Sequence, residues 1–163
     1  MSTKPAKAAA AAPSGALNAR WRQLTRISPY SRELGLELAH AGADWCVLKV
    51  PYAEKLIGYP ETRVLHGGVI TALMDVAFGL SIFVRLGELR PMATLDLRID
   101  YLKPATPDRD VLGGAVCYKL SSELAFVRGC AYHDTPDDPI ATSIAIFMFT
   151  GGPTISLDEA GQP

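Results

Sequence analysis

Asp75 is the only charged residue between Gly68 and Val84, in the stretch GVITALMDVAFGLSIFV. An ionised carboxylate among apolar neighbours is costly unless it is paired or used. Poor solvation also makes it a competent base or nucleophile. Immediately upstream, His66-Gly67-Gly68 opens the segment. The first N–H groups of a helix have no intrahelical partner and lie at the positive end of its dipole. They can therefore hold a developing oxyanion, and glycines let a reacting group approach the backbone closely. A carboxylate and a set of oxyanion donors together suit the transfer of an acyl group to water.

The spacing adds a constraint. Gly67 and Asp75 are eight residues apart, about 12 Å of helix at ~1.5 Å per residue. One carbonyl cannot touch both on the same helix. Two antiparallel helices from different subunits could bring Gly67 of one against Asp75 of the other, so an obligate dimer with a shared site is expected.

The elements that would position these groups are readable. A helix apolar on all sides is normally buried, and this one runs from the HGG to about Arg85, with Gly87 as a stop. As a membrane span it is rejected: Asp75 stands mid-span with Thr71, Gly79 and Ser81, and residues 68–84 fall short of the ~20 required. Before the helix, 17–27 (LNARWRQLTRI) has the spacing of a short amphipathic helix. A turn near Tyr30–Leu34, strands at Leu36–His40 and Asp44–Tyr52, and a Gly- and Pro-marked passage at 53–65 follow. After the helix, Ala93–Lys103 alternates: Ala93, Leu95, Leu97, Ile99 and Tyr101 on one face, Thr94, Asp96, Arg98 and Asp100 on the other. Val111–Leu120, Leu124–His133 and Ile140–Thr150 are three more strands, and the short connections favour an antiparallel meander. The expected fold is α+β, a curved antiparallel sheet wrapped around one long central helix. It forms a single domain over 17–150, with a tail at 1–16, a second tail at 151–163, and residues from Ile155 onward frayed.

Composition narrows the function. Sixteen basic against seventeen acidic residues give a formal charge of −1, which argues against a general nucleic-acid or anionic-membrane surface. Cys46, Cys117 and Cys130 form no CxxC pair, and His40, His66 and His133 show no ligand spacing, so no metal centre is expected. Reduced thiols point to the cytoplasm. The N-terminal MSTKPAKAAAAAPSGA lacks the leucine-rich core of a secretion signal.

Two motifs carry a family resemblance. The run His66-Gly67-Gly68-Val69-Ile70-Thr71-Ala72-Leu73-Met74-Asp75 resembles the HGG-x6-D helix of hotdog-fold acyl-CoA thioesterases, the group related to the 4-hydroxybenzoyl-CoA and phenylacetyl-CoA enzymes. Downstream, Thr94 to Ala105 (TLDLRIDYLKPA) is similar to the family's strand ending in Tyr-x-x-Pro-Ala. The resemblance spans about residues 30–150. It implies Asp75 as catalytic carboxylate, His66 and Gly67 as the groups that orient and polarise the thioester carbonyl, and Thr94 as a hydroxyl assisting the water or the carboxylate. Gly68, Arg98, Lys103, Ser121 and Ser122 are the candidates for binding substrate. The substrate implied is an acyl-CoA, with coenzyme A as part of it and no separate cofactor, and the assembly is a homodimer or a dimer of dimers. The chain departs from the family in two places: GYPETRVL before the HGG has no Asn, and Ser121-Ser122-Glu123 stands where relatives often have Gly-Arg.

Two other readings compete. A hotdog-fold dehydratase or hydratase would need a different His-and-acid arrangement. A non-catalytic acyl-CoA-binding module could lose Asp75 without penalty, so the retained carboxylate counts against it.

Overall fold

The computed structural model describes Thr25 and residues 28–156. The sequence-predicted helix at 17–27, apart from Thr25, lies outside the described residues, as do 1–16 and 157–163. A short helix α1 (Pro29–Glu33) begins at Ser28, whose side chain accepts from Ser31 N–H. Strands β1 (Glu37–Ala41) and β2 (Trp45–Val50) follow, then a 3₁₀ turn (Glu54–Leu56) and the long helix α2 (Gly67–Leu86). The remaining strands are β3 (Glu88–Leu89), β4 (Met92–Tyr101), β5 (Val111–Leu120), β6 (Leu124–Tyr132), β7 (Ala141–Phe149) and β8 (Ile155–Ser156).

Six strands form one antiparallel sheet in the order β1-β2-β5-β6-β7-β4, curved around α2. This is the wrapped helix expected from the sequence, and it explains the missing polar face. Leu73, Phe78 and Ile82 are fully buried, worth roughly 1.5–3 kcal/mol each on transfer from water. The buried hydroxyl of Ser81 donates to Phe78 O at 2.8 Å. By length and hydropathy α2, at 20 residues, could cross a bilayer, so the shortness used against a span does not hold. Its apolarity is accounted for by the sheet around it. Gly87 closes the helix in the left-handed region (φ 73°), its N–H bonded to Phe83 O.

Three expectations need correction. The four strands after the helix are not a simple meander: β5, β6 and β7 are neighbours in order, but β4 pairs with β7 and β5 with β2. The 102–110 link is long enough to run across the ends of β7 and β6. Leu102 N–H bonds Ile140 O at 2.8 Å, and Thr106 N–H bonds the His133 ring at 2.9 Å. Second, the alternation along β4 is broken by a bulge between Thr94 and Asp96. Thr94 opposes the inward-facing Phe147 and Leu97 opposes Ala145, with Leu95 as the extra residue. Thr94 therefore lies on the same, inward face as Leu97, Ile99 and Tyr101, and not with Asp96, Arg98 and Asp100. Third, Ile155 and Ser156 are not frayed but pair with Leu89 and Glu88.

A stripe of α2 is left only half-covered: Thr71, Asp75, Gly79 and Phe83, at four-residue spacing from Gly67, with Ala72 and Val76 beside them. The edge strand β4 runs antiparallel along it. A Cβ at Gly79 would lie 3.4 Å from Met92 Cε, and one at Gly67 3.4 Å from the Tyr101 hydroxyl.

Candidate active site

The polar passage before α2 folds into a brace that fixes the opening of the helix. Ile57 bridges Leu65, Gly58 N–H bonds Val64 O at 2.8 Å, and His66 N–H bonds Leu56 O at 2.9 Å. Arg63 sits at φ 55°, an uncommon conformation for a non-glycine residue. It is held there by the Tyr52 hydroxyl donating to its carbonyl (2.8 Å) and by ion pairs to Asp108 (2.7 Å) and Glu54 (3.4 Å).

His66 is the N-cap of α2. Its Nδ1 accepts from Gly68 N–H at 2.9 Å, which leaves the proton of the neutral ring on Nε2 as a donor. The Gly67 N–H makes no hydrogen bond among the described residues. His66 and Gly68 are exposed and Gly67 is half-buried, so a free backbone donor and an imidazole N–H stand at the accessible end of the helix. The Gly68 N–H, by contrast, is committed to the cap.

Asp75 lies two helical steps along the same half-covered line and is half-buried. Its Oδ1 accepts from Thr94 Oγ1 at 2.8 Å, a contact made possible by the bulge at Leu95. Bulges commonly re-aim a side chain next to a functional site. No cation pairs with Asp75 among the described residues. Two clefts flank the helix opening. One, of about 330 Å³, is lined by Leu65, Gly67, Ile70 and Tyr101 through Ala105. The other, of about 520 Å³, lies between Tyr30 and Leu34 of the α1 region, the 3₁₀ turn, His66, Gly68 and Val69.

The cysteines offer no rival nucleophile. The three cysteines are free and buried, and burial pushes the Cys130 thiol up to about 11 and raises Cys46 and Cys117 as well. All three remain protonated near neutrality and are poor nucleophiles. No group of three or more His, Cys, Asp or Glu that could hold a metal occurs among the described residues.

The family model for the thioesterase superfamily matches residues 63–140, which includes both His66-Gly67-Gly68 and Asp75. The chain is 34% identical over 133 residues to the medium/long-chain acyl-CoA thioesterase YigI of Escherichia coli K12, covering 74% of this chain and 84% of that one. The chain belongs to the thioesterase superfamily. A solved Pseudomonas aeruginosa structure is 42% identical, with a TM-score of 0.74 over 81% of this chain and 98% of that one. The Escherichia coli PaaI protein shares the fold at 14% identity and a TM-score of 0.70, over 83% of this chain and 97% of that one.

Within this hotdog-fold thioesterase chain, the residues singled out by sequence separate into groups. His66, Gly67 and Gly68 stand together at the helix opening, and Asp75 with Thr94 forms a second cluster on the same face. Lys103 lines the smaller cleft but is ion-paired with Asp138. Arg98 lies on the outer sheet face, opposite Ile144, and bonds Asp100 at 3.0 and 3.1 Å. Ser121 closes the β5–β6 turn, its Oγ accepting from Leu124 N–H (2.9 Å) and donating to Leu124 O (3.1 Å). The Ser122 carbonyl accepts from Arg90 at 3.0 Å. That turn lies at the Met92 end of β4, away from His66 of the same protomer.

Sequence reasoning passed over two residues that contact the helix opening. The Tyr101 hydroxyl donates to Gly67 O at 2.7 Å and lies 2.9 Å from Thr71 Oγ1. The signal was present: Thr71 falls midway between Gly67 and Asp75 at four-residue spacing, and Tyr101 is the tyrosine of the Tyr-x-x-Pro-Ala motif.

Proposed function

We propose that this protein is an acyl-CoA thioesterase, converting an acyl-CoA and water to a carboxylic acid and free coenzyme A. The observation that carries the reading is the placement, along one half-covered line of α2, of an unpartnered Gly67 N–H and the Thr94-bound carboxylate of Asp75. The thioester oxygen sits at the Gly67 N–H, with the Nε2–H of His66 beside it. Negative charge developing there meets fixed donors and the positive end of the α2 dipole. Asp75 either deprotonates a water that attacks the carbonyl carbon, or attacks it directly to give an acyl–aspartyl anhydride that water then hydrolyses, and Thr94 holds the carboxylate by one oxygen so that the other is free to react. The C–S bond breaks as the carbonyl re-forms, and coenzyme A leaves as its thiol with a proton that derives from the water. The acyl group is of medium or long chain, as the name of the YigI relative suggests, and Leu65 and Ile70 in one cleft and Leu56, Ile57 and Val69 in the other offer it apolar surface.

The two clusters are about 12 Å apart along α2 and complete each other only across two subunits. Two features support this arrangement. Among the described residues β4 is a ten-residue edge paired only with β7, and long unpaired edges invite pairing with another chain. The open line of α2 lies beside it. A two-fold axis setting β4 against its copy would also set the α2 lines antiparallel, with Gly67 of one protomer facing Asp75 of its partner. Buried, reduced thiols suit the cytoplasm.

The test is thiol release from a panel of acyl-CoAs by the wild type and by Asp75→Asn. The amide is isosteric but neither basic nor nucleophilic, so turnover should fall roughly 10²–10⁴-fold with melting unchanged. More than a third of wild-type turnover in the variant would remove Asp75 from the mechanism.

A further inference from the structure

We infer that Tyr101, together with Thr71, is a positioning residue that locks the oxyanion donor Gly67 in its working orientation. The inference rests on the reading of Gly67 N–H as that donor. The problem it answers is physical. Gly67 is the first residue of α2, and glycine has the least restrained backbone of any residue. Catalytic donors must nevertheless be held within about 10–20° of their productive direction. Something must therefore pin both peptide planes that meet at Gly67.

The plane on the N-terminal side, which carries the Gly67 N–H itself, is fixed by His66 O accepting from Val69 N–H at 2.9 Å. On the C-terminal side, the Gly67 carbonyl is gripped by side chains. Tyr101 donates to it at 2.7 Å, and the single hydroxyl proton of Thr71 goes either to the same carbonyl at 3.3 Å or to the Tyr101 oxygen at 2.9 Å. The two hydroxyls and the carbonyl form one compact cluster. One of the hydroxyls comes from the last residue of β4, so the edge strand and the helix opening are tied at the point where the donor must be rigid. A Cβ on Gly67 would stand 3.4 Å from the Tyr101 hydroxyl, an ordinary contact, so the ring lies packed directly against the helix opening. Tyr101 is half-exposed and forms a wall of the cleft beside Gly67, so its hydroxyl is not needed merely to satisfy a buried polar group. None of its hydrogen bonds reaches Asp75 or Thr94, so it acts through the donor and not through the carboxylate.

The test compares Tyr101→Phe with the wild type for kcat, KM and melting temperature. It is paired with difference infrared spectroscopy of a carbonyl-labelled acyl-CoA bound to the slow Asp75→Asn protein, with and without Tyr101→Phe. Removing an oxyanion donor outright costs about 10²–10³-fold, so loosening one should lower kcat by roughly tenfold while KM changes less than about threefold. The bound thioester carbonyl should absorb at lower frequency than the free one in Asp75→Asn, and the shift should shrink when Tyr101→Phe is added. A shift in Asp75→Asn that Tyr101→Phe leaves intact, with unchanged kcat, overturns the positioning role while preserving Gly67 as donor. No shift in Asp75→Asn itself overturns the donor reading beneath it. Should Tyr101→Phe not fold, Thr71→Val and Thr71→Ser decide the matter: Val should lower kcat and Ser should restore it, whereas equal activity in both overturns the inference.

Discussion

Replacing Gly68 with alanine sets stability and catalysis against each other. A Cβ at this position would lie 2.9 Å from His66 Nδ1 and 3.2 Å from Cε1, tighter than real contacts allow. The imidazole must swing away and give up its bond from Gly68 N–H. Loss of an N-cap costs about 1 kcal/mol, but alanine is favoured over glycine in a helix by up to about 1 kcal/mol. The two effects nearly cancel. For a chain of this size 1 kcal/mol moves Tm by roughly 2–4 °C, so Gly68→Ala should melt within a few degrees of the wild type. Activity has no such compensation. The direction of the His66 Nε2–H is set by the cap, and a displaced ring no longer meets the thioester oxygen. Turnover of a medium-chain acyl-CoA should drop by about tenfold or more, a fraction of the 10²–10³ that a whole oxyanion donor supplies. Thiol release and thermal melting on the same preparation give both numbers. Wild-type turnover in a folded Gly68→Ala protein would refute the role given to the capped histidine, and a loss of many degrees would refute the cancellation.

Thr94→Val removes the 2.8 Å bond to Asp75 with little change of shape. Hydrogen bonds to charged groups are worth about 1.5–3 kcal/mol, so kcat should fall roughly ten- to a hundredfold, with Thr94→Ser recovering most of it. Equal rates in Thr94→Val and the wild type would detach the strand hydroxyl from the chemistry. Cys46→Ser, Cys117→Ser and Cys130→Ser should each hydrolyse acyl-CoA at the wild-type rate wherever they fold. A thiol-blocking reagent should leave the folded wild type active near neutral pH, because burial holds all three thiols protonated. Inactivation without unfolding would demand a cysteine mechanism.

The helix was legible because its burial is written into composition: no residue between Gly68 and Val84 other than Asp75 is charged, and both ends carry their caps. The boundaries of the six long strands fell within a residue or two of expectation because alternation is broken there by turn residues, whereas the two-residue strands β3 and β8 are too short to show any pattern. Strand order was not legible, because the neighbour of β4 depends on whether the 102–110 link turns back or crosses, and its length permits either. The resemblance implied that Thr94 assists the water or the carboxylate, but how Thr94 reaches Asp75 was hidden for a different reason. Strict alternation puts Thr94 on the outer face, and only the single extra residue at Leu95 turns it inward, which no local preference of TLDLR announces. The Tyr101 contact depends in turn on β4 lying at the edge beside the helix opening, so it could not be read before the topology was known.

The shared site is tested most directly by mixing two inactive chains. Asp75→Asn keeps the donor and lacks the carboxylate, and Gly67→Val crowds the donor and keeps the carboxylate. Each alone should be nearly inactive. Co-refolded at equal amounts, half the dimers should be mixed and one of the two sites in each should be intact, giving roughly a quarter of wild-type thiol release for a two-fold assembly. Verified heterodimers with no activity, or a fully active monomer at assay concentration, would contradict the account.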